Sequence, residues 1–417
     1  MEKIRSQFIL KKIFKNLCRK KYLQIIKYNK KIQKKGDISL IEYKEYNQIE
    51  IILKYDLSLK EKYINIIENN KPYIHIYNIK QNEIHVGIMN HSIIYKISEI
   101  KIIIDNEVKS LKGLFKNCVS IIYINFIKCN RKDIISTSEL FFGCDRLIKL
   151  NINNLKTDKV TDTSYMFFNC SALKDINLSN LNFSNVTDMQ NMFEKCIELK
   201  LLNLPNCNSK NLKFMNNMFS ECTSLKKLNL NIINTTNLRY TNYMFYKCLS
   251  LEEINNLNFD TSNVIDMSYM FSDCENLKEL NLSNFNTSNV INMSNMFRGC
   301  YKLINLDISN FRINNYTTIN NMFSNCDDSI KQMVKNKFKD INNSAFECYI
   351  EYEYFEDSFF NIHKNIKDND GFFLSLIRDK EMDIDFYENY LKYKNVVLNN
   401  LTFKHNEFYK ILVNNIK

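Results

Sequence analysis

Nine cysteines recur at a constant spacing of 26 residues through the middle of this 417-residue chain. A phenylalanine stands three residues before each of them, and before that phenylalanine stands a methionine in the last seven cases. The nine are Cys118, Cys144, Cys170, Cys196, Cys222, Cys248, Cys274, Cys300 and Cys326. A fixed period of this length indicates a repeat array, in which each unit buries its apolar face against its neighbours.

Each unit carries the same apolar pattern after its cysteine. Positions are numbered from that cysteine, so +5 is the fifth residue after it. The Leu-x-Leu step at +6 and +8 predicts a short strand with alternating inward and outward side chains. The following apolar residues recur at spacings of three and four, which predicts a helical or 3-10 return segment. The predicted interior of one such coil comprises Leu277, Leu280, Leu282, Val290, Met293, Met296 and Phe297.

Residues 110–326 resemble the BspA-like leucine-rich repeats, whose units read like LNLSNFNTSNVINMSNMFRGC, residues 280–300 here. The resulting fold class is an α/β-type repeat solenoid of the leucine-rich-repeat kind, with a parallel strand ladder, short helical or 3-10 return segments, and helical N- and C-terminal pieces. The resemblance implies a non-catalytic binding scaffold. Because known members include bacterial surface adhesins, a cell-surface adhesin is an alternative function.

The cysteine column has two interpretations. Adjacent coils lie about 4.8 Å apart, a spacing at which thiols can share metal ions or approach disulfide distance. Free cysteine is also among the most frequently buried residues and packs as a small hydrophobe. Because every cysteine follows an apolar Met-Phe or Leu-Phe pair, we predict packing, with no metal and no cofactor.

The outward strand positions are the candidate contact sites for a protein partner. Position +7 is nearly always Asn, and we expect this column to form an amide ladder from coil to coil. The residue type at position +5 varies, as it does among residues that recognise a partner, although it also varies on a surface without function. The predicted partner-binding residues are Tyr123, Lys149, Asp175, Leu201, Lys227, Glu253, Glu279 and Asn305.

The net charge of +11 is concentrated at the N-terminus. Residues 1–35 hold 13 Lys or Arg and the single acid Glu2, whereas the rest holds 44 basic and 45 acidic residues. The apolar residues of this basic segment recur at helical spacing, which allows three interpretations. The segment contacts an anionic membrane or nucleic acid, packs on the neighbouring domain, or recruits a second protein. The third rests on a resemblance to the F-box, which implies a Skp1-like partner and a ubiquitin-ligase adaptor. The residues that carry it are Ile9, Leu10, Ile13, Phe14 and Leu17.

Four domains are predicted: a basic helical segment over 1–36, a strand-rich cap over 37–110, the repeats over 111–326, and a helical cap plus a further region over 327–417. Strands are expected in KPYIHIYNIK and IYKISEIKIIIDNEV, with Ile100, Ile103, Val108 and Leu111 in the register of the repeat. A helix is expected after Cys326, capped by Asp327 or Asp328. Motifs for phosphate binding or a nucleophile elbow are not found, so we expect no enzyme. With no signal peptide or apolar span, we expect a cytoplasmic or nuclear protein.

Overall fold

The structure is a computed structural model that describes residues 45–347, apart from 57, 59–63, 66–67, 79–82, 85–97, 206, 209 and 231. The predicted basic segment, including Ile9, Leu10, Ile13, Phe14 and Leu17, lies outside the described residues, as does the region after residue 347. The statements that follow concern the described part of the chain.

A mixed sheet precedes the repeats and joins them. Its strands are β1 (Ile49–Tyr55), β2 (Ile74–Asn78), β3 (Glu83–Ile84), β4 (Glu99–Ile104) and β5 (Ile121–Cys129), with a 3-10 helix over Glu68–Tyr73. With β6 (Lys149–Asn151) from the repeats, the strand order is β3-β2-β4-β1-β5-β6. β1 lies antiparallel to β5, which is the first strand of the solenoid ladder.

The strands predicted in the two alternating runs before the repeats are present as β2 and β4, but the predicted register is wrong at one residue. Ile103, which the repeat register places in the interior, is half-buried. Ile100, Ile102 and Ile104 are buried instead. The two-residue alternation of β4 decides which side chains enter the core, because β4 pairs with β1 and β2 rather than with the solenoid.

The repeats form a β-solenoid of about seven turns with a parallel ladder of short strands. The three-residue strands occupy positions +5 to +7 and pair in register, as Asp175 does with Leu201 and Glu279 with Asn305. They are β6 (Lys149–Asn151), β7 (Asp175–Asn177), β8 (Leu201–Asn203), β10 (Lys227–Asn229), β12 (Glu253–Asn255), β13 (Glu279–Asn281) and β14 (Asn305–Asp307). Two further strands, β9 (Cys207–Asn208) and β11 (Ile232–Ile233), also pair in parallel.

A second ladder runs along the opposite side of the coils. Parallel bridges join the residue eight positions before each cysteine to its counterpart in the next coil, from Ser110–Ser136 through Asp162–Asp188 to Asn292–Thr318. The strands of the first ladder, from β5 to β14, are hydrogen-bonded in separate pairs and not in one continuous sheet. The continuity of the stack therefore depends on this second ladder, on main-chain hydrogen bonds between the return segments and on side chains.

The return segment is a run of turns and not the predicted helical or 3-10 segment. The residues one and five positions before the cysteine have positive φ, as at Gly299 (φ 70°) and Asn295 (φ 57°). A left-handed residue every four positions prevents a helix from propagating. The Phe297 N–H donates to the Met322 carbonyl of the next coil at 2.9 Å, whereas the Arg298 N–H donates to the Asn295 carbonyl at 3.1 Å. The N–H groups of the segment donate alternately within a coil and to the next coil, so they do not form the continuous series of local bonds that a helix needs. The fold therefore has few helices and is a β-solenoid.

The interior consists of the predicted columns, and the Phe column is a continuous stack of rings. From Phe115 to Phe323, neighbouring centroids lie 5.3–5.9 Å apart with interplanar angles of 1–20°. The seven interior residues predicted for the coil at Cys274–Cys300 are all buried, with Leu280 the most exposed at 5%. These rings and side chains supply the apolar burial that one coil cannot provide alone.

Buried threonines at +13 join adjacent coils through a single hydroxyl. Thr261 Oγ1 donates to the Asn286 carbonyl at 3.0 Å and accepts from the Asn286 N–H at 2.8 Å. Two residues later, Asn263 Nδ2 donates to the Thr236 carbonyl at 2.8 Å in the preceding coil. The Thr and Asn residues of the repeat thus satisfy main-chain groups that the turns leave unpaired.

The predicted helix after Cys326 is present as α1 (Asp328–Lys337), capped by Asp327, whose side chain accepts from the Ser329 N–H. Ile330 and Val334 are its buried residues. A 3-10 turn at Asn343–Ala345 then ends the described chain. No helix among the described residues combines the length and apolarity that crossing a membrane requires.

Candidate interaction face of the strand ladder

The +5 residues form one outward column on the strand ladder, here called the ladder face. Leu201 is 64% exposed, and the +5 side chains of β6, β7, β10, β13 and β14 are also exposed. The +6 residues between them and the +7 column are buried, as at Leu228 and Leu280, or partly buried, as at Leu150, Leu202 and Ile254. The alternation predicted from the sequence is therefore confirmed, and the residues it placed outward are Tyr123, Lys149, Asp175, Leu201, Lys227, Glu253, Glu279 and Asn305.

Neighbouring residues of the ladder face interact across the coils. Lys227 Nζ lies 2.8 Å from Glu253 Oε2, and Asn255 Nδ2 donates to Glu253 Oε1 at 2.8 Å. Hydrogen bonding by Lys227 lowers the pKa of Glu253, and the same bond raises the pKa of Lys227. Both groups are solvent-exposed, so the pair sets the charge pattern of the face more than it stabilises the fold.

The first residue of the face, Tyr123, is held more tightly than the others. It is half-buried, with Lys54 Nζ 5.6 Å and Lys149 Nζ 6.0 Å from the centroid of its ring. Cations at these distances interact with the ring's negative face. The N-terminal end of the ladder face is therefore ordered by contacts with β1.

The +7 column does not form the predicted amide ladder. Asn177 Oδ1 accepts from the Ser179 N–H at 3.1 Å, and Asn281 Oδ1 accepts from the Ser283 N–H at 2.9 Å. Asp307 does the same for Ser309 at 2.9 Å. Asn and Asp favour such turns with their own main chain, so this column turns the chain at the end of each strand.

Sequence reasoning missed a second exposed column at +4. The sequence analysis placed its outward column at +5, whereas +4 lies directly before the strands, which begin at +5. Three successive coils place lysines there, Lys174, Lys200 and Lys226, and all three are exposed. We call these three residues the lysine ridge. The signal was available in the sequence, because an inward column would not carry three consecutive lysines.

An open groove lies at the N-terminal end of the lysine ridge. It has a volume of about 430 Å³ and is lined by Tyr55, Asp56, Ile122, Arg146, Ile148 and Ala172, which we call the ridge groove. Ile122 and Ile148 occupy the +4 positions of the two coils before Lys174, and Ile148 is 62% exposed. Arg146 Nη2 lies 2.6 Å from Asp56 Oδ2, which fixes the guanidinium at the edge.

The cysteine column lies inside the coils, away from both outward columns. The eight cysteines from Cys144 to Cys326 each donate Sγ–H to the carbonyl of the Phe 29 residues earlier, at 3.0–3.2 Å. Burial raises the pKa of Cys248 to about 12. These thiols are packing groups that also satisfy a main-chain carbonyl, and they offer no surface chemistry.

A protein-family model described as "Mycoplasma protein of unknown function, DUF285" matches residues 109–230, 176–274 and 214–338. These overlapping matches together cover residues 109–338, which is more than half of the chain. A search of curated proteins found no match to the chain.

Proposed function

We infer that this chain, which belongs to the DUF285 family, is a non-catalytic scaffold that binds a protein partner with its ladder face. One observation carries the proposal. Buried or partly buried residues at +6 hold a column of outward residues whose chemistry changes from coil to coil, from Lys149 and Asp175 to Leu201 and Lys227. A rigid stack with a varied outer column suits recognition of an extended surface, which is how many solenoid repeats bind.

We also propose that the repeats are BspA-like leucine-rich repeats and that the protein works in the cytoplasm or nucleus. The 26-residue unit and its Met-Phe-x-x-Cys ending support the first proposal. The 11 described cysteines are buried thiols, which suits a reducing compartment.

The experiment is affinity purification of the full chain from its native cell, compared with a variant that reverses three charges: Lys227→Glu, Glu253→Lys and Glu279→Lys. These residues lie on consecutive coils and are exposed or half-exposed, so the fold is expected to survive. A control reverses two exposed charges off the ladder face, Lys213→Glu and Glu275→Lys. Loss of the same partner in the first variant only supports the proposal, and its retention in both variants refutes it.

The two alternatives make different predictions in the same purification. An adaptor of a ubiquitin ligase would retain a Skp1-like protein through residues 1–60, and alanine substitutions at Ile13, Phe14 and Leu17 would release it. A cell-surface adhesin would be found at the outer face of the cell, where intact cells expose it to added protease.

A further inference from the structure

The lysine ridge places like charges beside one another along the stack. The Phe rings of these three coils stack with centroids 5.4 and 5.5 Å apart, so Lys174, Lys200 and Lys226 occupy the same position in consecutive coils. Lys200 N donates to the Lys174 carbonyl at 2.8 Å, which aligns these two residues directly. Like charges opposite one another on adjacent strands repel. A surface that keeps three of them in a row is complementary to an anionic partner.

Acids within the fold neutralise little of this charge. Lys226 Nζ lies 3.9 Å from Glu252 Oε1, and both side chains are largely solvated at 71% and 49% exposure. Among the described residues, no carboxylate forms an ion pair with Lys174 or Lys200. Lys174 and Lys200, whose charges are not neutralised by an ion pair among the described residues, therefore form the end of the ridge that lies next to the ridge groove.

The ridge groove adds an apolar site in line with the ridge. Ile122, Ile148 and Lys174 occupy the same +4 position in consecutive coils, so the column changes from aliphatic to basic within one coil. Ala172 contributes to the groove from the coil that carries Lys174. A ligand that lies along the stack meets an apolar surface first and then three ammonium groups.

We propose that the ridge groove and lysine ridge together bind an extended acidic peptide from a partner protein, with one apolar side chain in the groove and carboxylates on the lysines. The proposal rests on the proposed scaffold function and names the partner chemistry for the N-terminal half of that surface. An extended chain advances about 3.3 Å per residue, so one coil corresponds to one or two peptide residues. The matching sequence is an apolar residue followed closely by three or more acids.

The charges further along the stack favour a short acidic peptide over nucleic acid. Beyond Lys226 the +4 position becomes Glu252, and the adjacent +5 positions become Glu253 and Glu279. A phosphate backbone that continued past three coils would be repelled there. The ridge also offers no exposed aromatic ring between its lysines on which bases could stack.

The test measures binding of a fluorescent peptide, one leucine followed by six glutamates, to the full chain by fluorescence anisotropy. A second peptide has glycine in place of the leucine. The double variant Lys174→Glu and Lys200→Glu is expected to weaken binding of the leucine peptide by about tenfold or more. Ile148→Ser is expected to lower the affinity for the leucine peptide to that for the glycine peptide. Lys278→Glu, in the same column beyond Glu252, is the matched control and is expected to change little.

A stability measurement separates lost binding from lost folding. Lys200→Glu replaces the middle lysine by an acid between Lys174 and Lys226, so its thermal midpoint should equal or exceed that of the parent while its affinity for the peptide falls. Equal affinity of the ridge variants and the parent would overturn the proposal. So would tighter binding of a ten-nucleotide single-stranded DNA that the same variants abolish.

The two proposals fail in different ways. If the ridge variants bind the peptide normally but reversal of Lys227, Glu253 and Glu279 releases the native partner, the acidic-peptide proposal is wrong and the scaffold function stands. If the ridge variants lose the peptide but every variant retains the native partner, the ridge is a peptide site and the ladder face is not the scaffold's contact surface.

Discussion

The Cys300 thiol donates a hydrogen bond to the main-chain carbonyl of Phe271, 3.1 Å away in the preceding coil. The same carbonyl accepts from the Cys274 N–H at 3.2 Å. Each such carbonyl is therefore bonded both by its own coil and by the next one. Cysteine is suited to this position because it is small, apolar and a weak donor.

The cysteine column is predicted to react slowly with thiol reagents while the protein is folded. Only the thiolate reacts, and burial raises the pKa of Cys196, like that of Cys248, to about 12. At pH 8 in native buffer, a disulfide reagent should label the column only as fast as the protein unfolds, and mass spectrometry will show which residues carry it. Labelling of several of the nine cysteines within minutes, with the fold intact, would contradict this.

Thr261→Val is predicted to lower the free energy of unfolding by about 2 kcal/mol. Valine has nearly the same shape, but it removes the hydroxyl that both donates to and accepts from the main chain of Asn286. Urea unfolding followed by circular dichroism measures the change. Thr261→Ser keeps the hydroxyl and should cost less, so equal losses in the two variants would show that the methyl group matters more than the hydrogen bonds.

Glu221→Gly is predicted to stabilise the protein by about 0.5–1 kcal/mol. Glu221 has a φ of 59°, a left-handed conformation that glycine adopts without strain. The pair with Lys195 is half-buried, but at 3.8 Å it is long and contributes little. Asn169→Gly at the equivalent position is the control, because asparagine already tolerates this conformation. Thermal unfolding should show the larger gain for Glu221→Gly.

Asp188→Asn is predicted to stabilise the protein at pH 7 and to remove part of its pH dependence. Burial, with the neighbouring charge of Asp162, raises the pKa of Asp188 from its ordinary 3.8 to about 6. The native state therefore binds the proton more tightly than the unfolded state, and stability is lost as pH rises from about 4 to 6. The expected gain at pH 7 is about 1 kcal/mol, since the group is partly exposed.

Unfolding measured from pH 4 to pH 7 tests the Asp188 prediction. Asn292 fills the same position in the next-to-last coil and accepts from the Ser294 N–H at 3.0 Å, so asparagine fits the turn. Asp266→Asn, also in this column, is the comparison variant. A parallel pH profile for the parent and Asp188→Asn would rule out the proposed cause.

The interior was predictable from the sequence because burial imposes the same chemistry in every coil. Met296 and Phe297 belong to columns that change little, and the structure buries both. The return segment was not predictable from apolar spacing, since a run of turns with two left-handed residues also brings side chains inward at steps of three and four. Gly143 and Gly299, one residue before their cysteines, were the available signal.

The outward face was only half predictable. Strand alternation placed Lys227 and Glu279 outward correctly, but it does not apply to +4, which lies before the three residues that form each strand. The place where a strand begins depends on contacts between coils, which one repeat does not contain. The three lysines at +4 can be read from the sequence, but only the three-dimensional stack shows that the groove lies in line with them.

Phe346 stacks on Phe323 with ring centroids 6.1 Å apart, although the 26-residue period would place the next ring at position 349. The Asn321 and Phe323 N–H groups donate to the Ser344 and Ala345 carbonyls at 2.7 Å, where another coil would otherwise supply acceptors. The terminal turn thus supplies a ring and main-chain acceptors where another coil would supply them. Every coil offers the same main-chain donors, as Asn295 and Phe297 do to Asn320 and Met322, so an array with one coil more or fewer can end on the same segment.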